Sequence, residues 1–308
     1  MNIATISVPT LIDTLNKPLQ VYFKNSELAD QHAWWLLSGV TSKTKAYLLA
    51  SKAIKLTEHE FQTLQEWVID LTVHHKPIAY ILGTVPFADL TLAIAPPVLI
   101  PRPETESWVL ALIEQLSALA DFPLRILDIG TGSGCIAMAF AYALPEAQII
   151  AVDLSEGALE IAQANAQRYA LDNITFLSSD LFEQLPADTY FDLIVSNPPY
   201  IDPAYWGSLD ASVTHWEDHN ALVSDEQGYS HLFKIISQVP FYLKPNFDLR
   251  ALHIPNLVVE IGANQGAVTA DYMKEQGAER VEIEKDLAGK DRVVKGYFHV
   301  VDRESAHE

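Results

Sequence analysis

The sequence predicts an α/β protein in which a doubly wound, largely parallel sheet follows a small helical domain. From Trp108 onward, segments with strand-like periods alternate with segments of helical period, which is typical of a parallel sheet covered by helices. The last two predicted strands are joined only by Lys285 to Arg292. Because this connection is too short for a helical crossover, these two strands should pair antiparallel.

Seven strands are predicted in this sheet, and helices fill most of the intervals, for example at Ala158–Tyr169 and Val268–Glu275. The final hairpin makes the sheet mixed rather than fully parallel. The predicted strands are Arg125–Ile129, Gln148–Val152, Ile174–Leu177, Phe191–Val195, Asn256–Ile261, Val281–Glu284 and Val293–Phe298.

Residues 1–83 are predicted to form a small bundle of helices, because they show no alternating strand pattern. The clearest helix begins at Thr57, which has the capping-box spacing to Glu60. Apolar residues then share one face of this helix, as expected for a core-facing stripe; they are Phe61, Leu64, Trp67, Val68 and Leu71.

A hairpin and linker are predicted at residues 84–106, between the helical domain and a catalytic domain at 107–308. The apolar residues from Phe87 to Ile94 suggest short strands. The prolines at positions 96, 97, 101 and 103 are expected to exclude a helix from the rest of this segment.

Composition predicts a soluble cytoplasmic chain of one or two domains. The 308 residues are 49% hydrophobic and 19% charged, with no apolar stretch long enough to span a bilayer. Cys135 is the only cysteine, so no internal disulfide can form, and the start does not resemble a signal peptide. A mitochondrial transit peptide would be rich in arginine, whereas the first arginine is Arg102.

The charge balance argues against direct binding of nucleic acid. The formal net charge is −20, from 40 acidic and 20 basic residues, and no basic stripe interrupts it. Such a surface repels phosphate backbones. The acidic charge either aids solubility or steers a basic partner surface, and both alternatives remain open.

The motif Asn197-Pro198-Pro199-Tyr200 follows the apolar run from Phe191 to Val195. Its prolines fix φ, lack N–H donors and bias Asn197 toward an extended backbone. The asparagine side chain and nearby carbonyls are therefore expected to face a substrate. Because amide and amino N–H groups fit such acceptors, the motif indicates methyl transfer to a planar nitrogen.

A glycine-rich loop closes the first predicted strand of the sheet, as in nucleotide-binding α/β units. A dinucleotide fingerprint requires Gly-x-Gly-x-x-Gly, whereas Gly130, Gly132 and Gly134 alternate. The preceding Asp128 would repel phosphate but attract the cation S-adenosylmethionine. The loop therefore favours a methyl donor over NAD, and seven strands with a final hairpin are typical of the Rossmann-like class I methyltransferases that use this donor.

Two more carboxylates are expected at the donor site. Asp153 ends the second strand and can accept hydrogen bonds from both ribose hydroxyls, and Asp180 follows the third strand, where the adenine amino group would lie. The alternative is that both merely cap helices. The predicted donor-binding residues are Asp128, Gly130, Thr131, Gly132, Ser133, Gly134, Asp153, Asp180, Leu181 and Asn197.

With these motifs, the chain resembles the HemK/PrmC-type glutamine methyltransferases of release factors nearly end to end. The block from Ile100 to Glu106 separates this family from nucleic-acid methyltransferases, which share only the Asn-Pro-Pro-Tyr motif. It also favours the release-factor branch over a branch acting on a ribosomal protein. The resemblance rests on Lys76-Pro77-Ile78-Ala79-Tyr80-Ile81-Leu82-Gly83, Val98–Glu106, the glycine loop, Asp153, Asn197–Ile201, Glu260-Ile261-Gly262 and Gln265-Gly266.

The resemblance implies transfer of a methyl group from S-adenosylmethionine to the glutamine amide of a Gly-Gly-Gln motif in peptide chain release factors. S-adenosylhomocysteine would be the other product. It implies catalytic roles for Asn197, Pro198 and Tyr200, and adds Pro199, Arg102 and Glu217 as substrate-binding residues. The helical domain would help to dock the protein substrate, and a monomer is assumed.

Three other functions remain open at this point: a methyltransferase of exocyclic amino groups in DNA or RNA, one of a ribosomal-protein glutamine, and a non-catalytic binder of S-adenosylmethionine. The chain also departs from the family pattern. Trp216-Glu217-Asp218 replaces the usual Phe-Glu-Pro, and residues 246–255 form an apparent insertion.

Several residues are given no metal or catalytic role. His215 and His219 lie four residues apart, but the pattern is not His-Glu-x-x-His and no third ligand is evident, so no metal is expected. Cys135 is expected to be a small buried residue. Arg102 either binds a ligand or orders the linker through Glu104 or Glu106.

Overall fold

The computed structural model describes residues 3–119, 121–186, 188–244 and 249–299, and these residues form two compact units. The first unit contains the chain up to Gly83 together with Asp210–Trp216. The second unit contains Thr84–Leu209 and the chain from Glu217 onward. Within the described ranges, no helix is long and apolar enough to cross a membrane.

The first unit combines helices with a two-stranded antiparallel ribbon of β1 (Ile3–Ser7) and β2 (Ala53–Thr57). The predicted capping box is present, because the Thr57 hydroxyl accepts from the Glu60 N–H and the Glu60 carboxylate accepts from the Thr57 N–H. The helices are α1 (Val8–Phe23), α2 (Ser26–Thr41), α3 (Lys45–Ala50), α4 (Glu58–Thr72), α5 (Ile78–Leu82) and α9 (Ala211–Thr214).

The ribbon corrects the prediction that residues 1–83 contain no strand. In β2, Ile54 and Leu56 are buried while Ala53 and Lys55 are exposed, which is the alternation of a half-buried strand. This run of five residues lies directly before the capping box of α4, and its partner β1 is about fifty positions away. Pairing over such a distance leaves no local signal in the sequence.

A short hairpin opens the second unit, pairing β3 (Thr84–Phe87) with β4 (Leu90–Ala93), as the sequence predicts. The expectation that prolines exclude a helix up to residue 106 is wrong, because α6 (Pro103–Leu116) begins at the last of them. Proline is tolerated in the first helical turn, where its missing N–H would have no partner inside the helix. Thr105 and Trp108 therefore lie on the first turns of a helix.

The central sheet has seven strands in the order β10-β11-β9-β8-β5-β6-β7. The first five in sequence pair in parallel, and the last strand is antiparallel to both of its neighbours, which confirms the predicted hairpin. The strands are β5 (Arg125–Ile129), β6 (Gln148–Asp153), β7 (Ile174–Ser178), β8 (Leu193–Ser196), β9 (Leu257–Glu260), β10 (Ala278–Lys285) and β11 (Asp291–Phe298).

Both faces of the sheet are buried. Ile126 and Val195 belong to one apolar cluster, whereas Leu127 and Ile194 belong to the other, because successive side chains of a strand point to opposite faces. The remaining helices of this unit are α7 (Cys135–Ala143), α8 (Glu156–Arg168), α10 (Asp225–Gly228), α11 (Ser230–Tyr242) and α12 (Gly266–Glu275).

Element boundaries differ from the predictions by a few residues. The helix predicted at Ala158–Tyr169 starts at Glu156, because the Ser155 side chain caps it by accepting from the Ala158 N–H. In the apparent insertion, residues 246–248 lie outside the described residues. The rest begins with a 3-10 turn whose Leu249 is buried in the core, so this segment also contributes packing.

Candidate active site

The predicted site residues follow neighbouring parallel strands, whose carboxyl ends meet at one edge of the sheet. There they line a cavity of about 350 Å³ within the second unit. This volume lies in the range of about 300–1,000 Å³ that is usual for small-molecule sites. The predicted residues that line it are Gly130, Gly132, Asp153, Asp180, Leu181, Asn197, Pro198 and Pro199.

Three further side chains predicted for donor binding, those of Asp128, Thr131 and Ser133, are buried and do not line this cavity. The Asp128 Oδ2 accepts hydrogen bonds from the Thr131 hydroxyl at 2.7 Å and from the Ala137 N–H at 3.2 Å. Gly134, which has a φ of 84°, stands before α7 close to Ala162. The side chains of Asp128, Thr131 and Ser133 therefore pack behind the loop and do not face the cavity.

Asp128 is fully buried, and this burial raises its pKa to about 7 despite the two hydrogen bonds that it accepts. The unfolded chain releases the same proton near a pKa of about 3.9. The folded state therefore binds the proton more tightly. It follows that this group's contribution to stability is lost as pH rises from about 4 to about 7.

We expect Asp128→Asn to remove this loss, since asparagine keeps an acceptor oxygen but cannot ionise. Thermal unfolding without ligand should favour the variant over the wild type more at about pH 8 than at about pH 5. If the difference in melting temperature between the two proteins were the same at every pH in this range, Asp128 would not titrate there.

The backbone N–H groups of the glycine loop are engaged within the protein. Those of Gly130 and Thr131 donate to the Val152 carbonyl at 2.9 and 3.0 Å, and that of Gly132 donates to the Asp153 Oδ2 at 2.8 Å. A dinucleotide enzyme instead directs such groups at a pyrophosphate. The loop geometry thus agrees with the glycine spacing, which favours a cationic ligand.

The alternative that Asp153 merely caps a helix does not describe its geometry. Ser155 provides the side-chain cap of α8, whereas the Asp153 Oδ1 accepts from the Ser155 N–H at 2.9 Å. Asp153 is half-buried, and burial raises its pKa, with hydrogen bonds from the Ser155 and Gly132 N–H groups acting in the opposite direction. Asp180 is exposed and lines the same cavity.

A second cavity of about 20 Å³ adjoins the first. Four residues line both cavities: Leu99, Asn197, Pro198 and Ala221. A group held in the small cavity therefore meets a group held in the large one at this shared wall, where Asn197 carries the polar side chain, and transfer between two ligands requires such an arrangement. Arg102, Tyr200 and Leu222 line the small cavity but not the large one.

Arg102 is paired with Glu217, not with Glu104 or Glu106 as the linker alternative expected. Its Nη2 lies 2.7 and 2.6 Å from the two carboxylate oxygens of Glu217, which is buried. Burial raises the pKa of Glu217, and the Arg102 charge opposes this shift. Glu106 instead accepts from the Ala88 N–H at 2.8 Å. The pair brings the predicted residues Arg102 and Glu217 together beside the small cavity.

The backbone around Tyr200 is held by residues to which sequence reasoning gave no role. The Gln265 Nε2 donates to the Tyr200 carbonyl at 3.1 Å and to the Gly228 carbonyl at 3.2 Å. Gly228 has a φ of 90°, and a Cβ there would lie 2.2 Å from the Tyr200 carbonyl oxygen. Burial raises the pKa of Tyr200, so its hydroxyl stays protonated. The sequence signal that could have found Gln265 is the Gln265-Gly266 pair, which belongs to the family resemblance.

His231 also lines the large cavity, and sequence reasoning missed it. Its Nδ1 lies 2.8 Å from the Ser224 hydroxyl, and burial lowers its pKa. No motif surrounds His231, and only the turn of α11 places it beside Asp180 and Leu181. The sequence therefore held no signal for it.

The residues considered for metal binding have other neighbours. The ring of His215 lies 6.3 Å from that of His75 in the first unit, and the ring of His219 lies 4.7 Å from that of Trp206 in the second. The described residues contain no group of three potential metal ligands. Cys135 is buried, and burial raises the pKa of its thiol to about 12, which leaves it unreactive.

The mixed seven-stranded sheet, with its final hairpin and a cavity at the carboxyl ends of its parallel strands, defines a class I methyltransferase. Two family models match the chain, and the first of them agrees with this class. The methyltransferase small domain matches residues 109–208, and the PrmC N-terminal domain matches residues 19–83.

Close relatives define the family. The release factor glutamine methyltransferase of Yersinia pestis is 37% identical over 279 residues, covering 90% of this chain and 95% of the relative. That of Vibrio cholerae is 34% identical over 297 residues, covering 96% and 98%. The chain belongs to the release factor glutamine methyltransferase family.

Solved structures show the same fold at much lower identity. The catalytic domain of hMettl16 in complex with the MAT2A 3'UTR hairpin 6 is 16% identical, with a TM-score of 0.51 over 83% of this chain and 87% of that chain. A likeness at this level of identity shows the fold alone.

Proposed function

We propose that this protein transfers a methyl group from S-adenosylmethionine to the side-chain amide nitrogen of the glutamine in the Gly-Gly-Gln motif of peptide chain release factors. The observation that carries this proposal is the meeting of two cavities at a shared wall that includes Asn197 and Pro198. Family membership supports the choice of substrate, since the relatives are named for this reaction. Because translation termination takes place in the cytoplasm, we place the protein there.

The large cavity fits the methyl donor by its size and by its charge. Asp153 and Asp180 line it, and carboxylates accept hydrogen bonds from ribose hydroxyls and an adenine amino group. The engaged N–H groups of the glycine loop leave little to hold a phosphate. When bound, S-adenosylmethionine supplies an electrophilic methyl group and the positive charge that this acidic lining favours.

The small cavity has room for about one water-sized group, so it would receive only the terminal amide of the glutamine side chain. This amide nitrogen is a poor nucleophile because its lone pair is delocalised into the carbonyl. The Asn197 Nδ2 donates to the Thr105 hydroxyl at 3.2 Å, which leaves the Asn197 Oδ1 to accept one amide N–H. The carbonyl of Pro198 would accept the other. These acceptors orient the nitrogen and favour the positive charge that develops on it during transfer. Tyr200 would pack against the amide plane.

Labelled S-adenosylmethionine, incubated with the protein and with release factors, ribosomal proteins or DNA in separate reactions, tests this function. We expect label in a release factor and none in a matched release factor whose Gly-Gly-Gln glutamine is replaced by alanine. Label in DNA or in a ribosomal protein, with none in any release factor, would replace the proposal with one of the alternatives. No label in any reaction would favour the alternative that the protein binds S-adenosylmethionine without catalysing methyl transfer.

Docking of the release factor is assigned to the first unit. All residues that line the two cavities belong to the second unit, so the first is free for another role. The match of residues 19–83 to the PrmC N-terminal domain supports an assignment specific to this family. The alternative is that the first unit serves only stability.

A chain that starts at Thr84 is expected to aggregate. The segment Asp210–Trp216 belongs to the first unit, where the Trp216 Nε1 donates to the His74 carbonyl at 2.8 Å. Truncation would expose the apolar side chains of Val213 and Trp216, which are half-buried in the full chain. The soluble yield of the truncated protein measures this outcome.

Replacing residues 210–216 by a glycine-serine linker in the same truncated chain should restore a soluble protein. It is expected to bind S-adenosylmethionine like the full chain, since the large cavity is complete, but to show a raised KM for the release factor. A soluble, donor-binding protein with the KM of the full chain would eliminate the docking role.

A further inference from the structure

We propose that Glu260 and Thr105 are positioning residues that fix which way the side-chain amide of Asn197 faces. The inference rests on the proposed function, because it concerns how Asn197 presents its oxygen to the substrate amide. It is carried by a chain of hydrogen bonds within the second unit that runs from Asn197 through Thr105 to the buried carboxylate of Glu260.

The contacts of Glu260 in this chain are short and buried, whereas the contact of Asn197 with Thr105 is longer and part-buried. The Asn197 Nδ2 lies 3.2 Å from the Thr105 Oγ1, and the Thr105 Oγ1 lies 2.6 Å from the Glu260 Oε2. The Trp108 Nε1 lies 3.0 Å from the same Glu260 oxygen. Glu260 is 1% exposed, and Thr105 and Trp108 are each 2% exposed. Hydrogen bonds buried to this degree are costly to break.

The number of hydrogens in the chain sets its direction. An indole N–H is only a donor, so the Glu260 oxygen that faces Trp108 must be an acceptor. The direction is the same for ionised Glu260 and for Glu260 protonated on Oε1, because in both forms Oε2 carries no hydrogen and can only accept. The Thr105 hydroxyl has one hydrogen, and it is committed to this acceptor. Thr105 can then only accept from Asn197.

This direction decides which atom of Asn197 is left for the substrate. The NH₂ group of Asn197 must face Thr105, so its Oδ1 faces away and remains free to accept. A flipped amide would bring two acceptor oxygens together at Thr105 and would present an N–H donor to the substrate, whose own amide nitrogen also carries donors. A flipped Asn197 would therefore repel the group that has to be methylated.

Glu260 also lies next to the other side chain of the motif. The Tyr200 hydroxyl is 3.5 Å from the Glu260 Oε1, the oxygen that does not contact Thr105. One carboxylate at the end of β9 is thus adjacent to both ends of the Asn-Pro-Pro-Tyr motif. Its Oε2 is linked to Asn197 through Thr105, and its Oε1 faces Tyr200 directly.

Thr105→Val tests the inference, since it removes the hydroxyl while keeping the shape of the side chain. We expect kcat for release-factor methylation to fall about tenfold, the effect of losing one oriented hydrogen bond. The affinity for S-adenosylmethionine should stay at the wild-type value. Thr105→Ser keeps the hydroxyl and should restore most of kcat. If the valine variant is insoluble, Thr105→Ala removes the same hydroxyl with less bulk.

A matched control is available at Thr269, a buried threonine on α12 of the same unit. Within the described residues its hydroxyl has no hydrogen-bond partner. Thr269→Val therefore makes the same chemical change without breaking a bond, and it should keep wild-type kcat. If the serine variant at position 105 were as slow as the valine variant, packing rather than the hydroxyl would be the cause, and the inference would fail.

Glu260→Gln separates orientation from charge. The glutamine oxygen can replace Oε2 and its NH₂ can donate to the Tyr200 hydroxyl, so this variant should retain most of kcat. A loss as large as that of Thr105→Val would show that the carboxylate charge matters instead, and would overturn the inference. Normal kcat in Thr105→Val would overturn it too, whereas a wild type that labels no release factor would reject the proposed function.

Discussion

Replacing Asn197 by alanine is expected to lower turnover by about a hundredfold or more, which is typical of losing one oriented transition-state contact. Asn197 lies where the large and small cavities meet, and its Oδ1 is the acceptor that the hydrogen-bonded chain through Thr105 leaves free. Without it, the substrate amide loses an acceptor that both orients the nitrogen and favours its developing charge. Donor affinity should change little, because the contacts proposed for Asp153 and Asp180 remain.

The measurement is kcat for release-factor methylation at saturating donor, combined with calorimetry of donor binding. Asn220→Ala is a suitable control, because Asn220 lines the large cavity but not the small one. This control should turn over like the wild type at saturating donor. If Asn197→Ala instead lost donor affinity while keeping wild-type turnover, Asn197 would be a donor-binding residue and not a catalytic one.

Residues that follow consecutive parallel strands could be located from the sequence alone. Asp153 and Asn197 come directly after apolar runs, and the alternation of strands and helices places the ends of these runs at one edge of the sheet. Glycine spacing likewise indicated the kind of ligand, because the positions of the glycines determine the local backbone conformation of the loop. Such features are encoded within a few residues, so they need no knowledge of the rest of the fold.

Features that depend on distant pairing were not predictable in this way. β1 pairs with β2 across about fifty positions, and the segment Asp210–Trp216 belongs to a unit that begins two hundred residues earlier. The same holds for the contact of Thr105 with Glu260, which are 155 residues apart. Both residues lie in motifs that define the family resemblance, but only the tertiary structure shows that their side chains meet.

Replacing Asp153 by alanine is expected to weaken binding of S-adenosylmethionine by about a hundredfold, since two hydrogen bonds to a charged acceptor contribute at least about 1.5 kcal/mol each. The carboxylate would accept both ribose hydroxyls in the large cavity. It also accepts the Gly132 N–H at 2.8 Å, so its removal loosens the glycine loop. Burial raises the pKa of Asp153, so this carboxylate becomes protonated at a higher pH than an ordinary aspartate. As the solution is acidified, the affinity of the wild type for the donor should therefore begin to fall at that higher pH.

Asp202→Ala provides the matched control for this variant. The Asp202 Oδ1 accepts from the Ala204 N–H at 2.9 Å, just as the Asp153 Oδ1 accepts from the Ser155 N–H at the same distance, but Asp202 does not line the large cavity. Both variants lose the same kind of local turn contact, whereas only Asp153→Ala also loses the Gly132 N–H contact and the proposed contacts with the donor. Calorimetry should therefore show wild-type donor affinity for Asp202→Ala. Equal affinity losses in the two variants would show that the turn, rather than a ribose contact, accounts for the effect, and Asp153 would then have no direct role in donor binding.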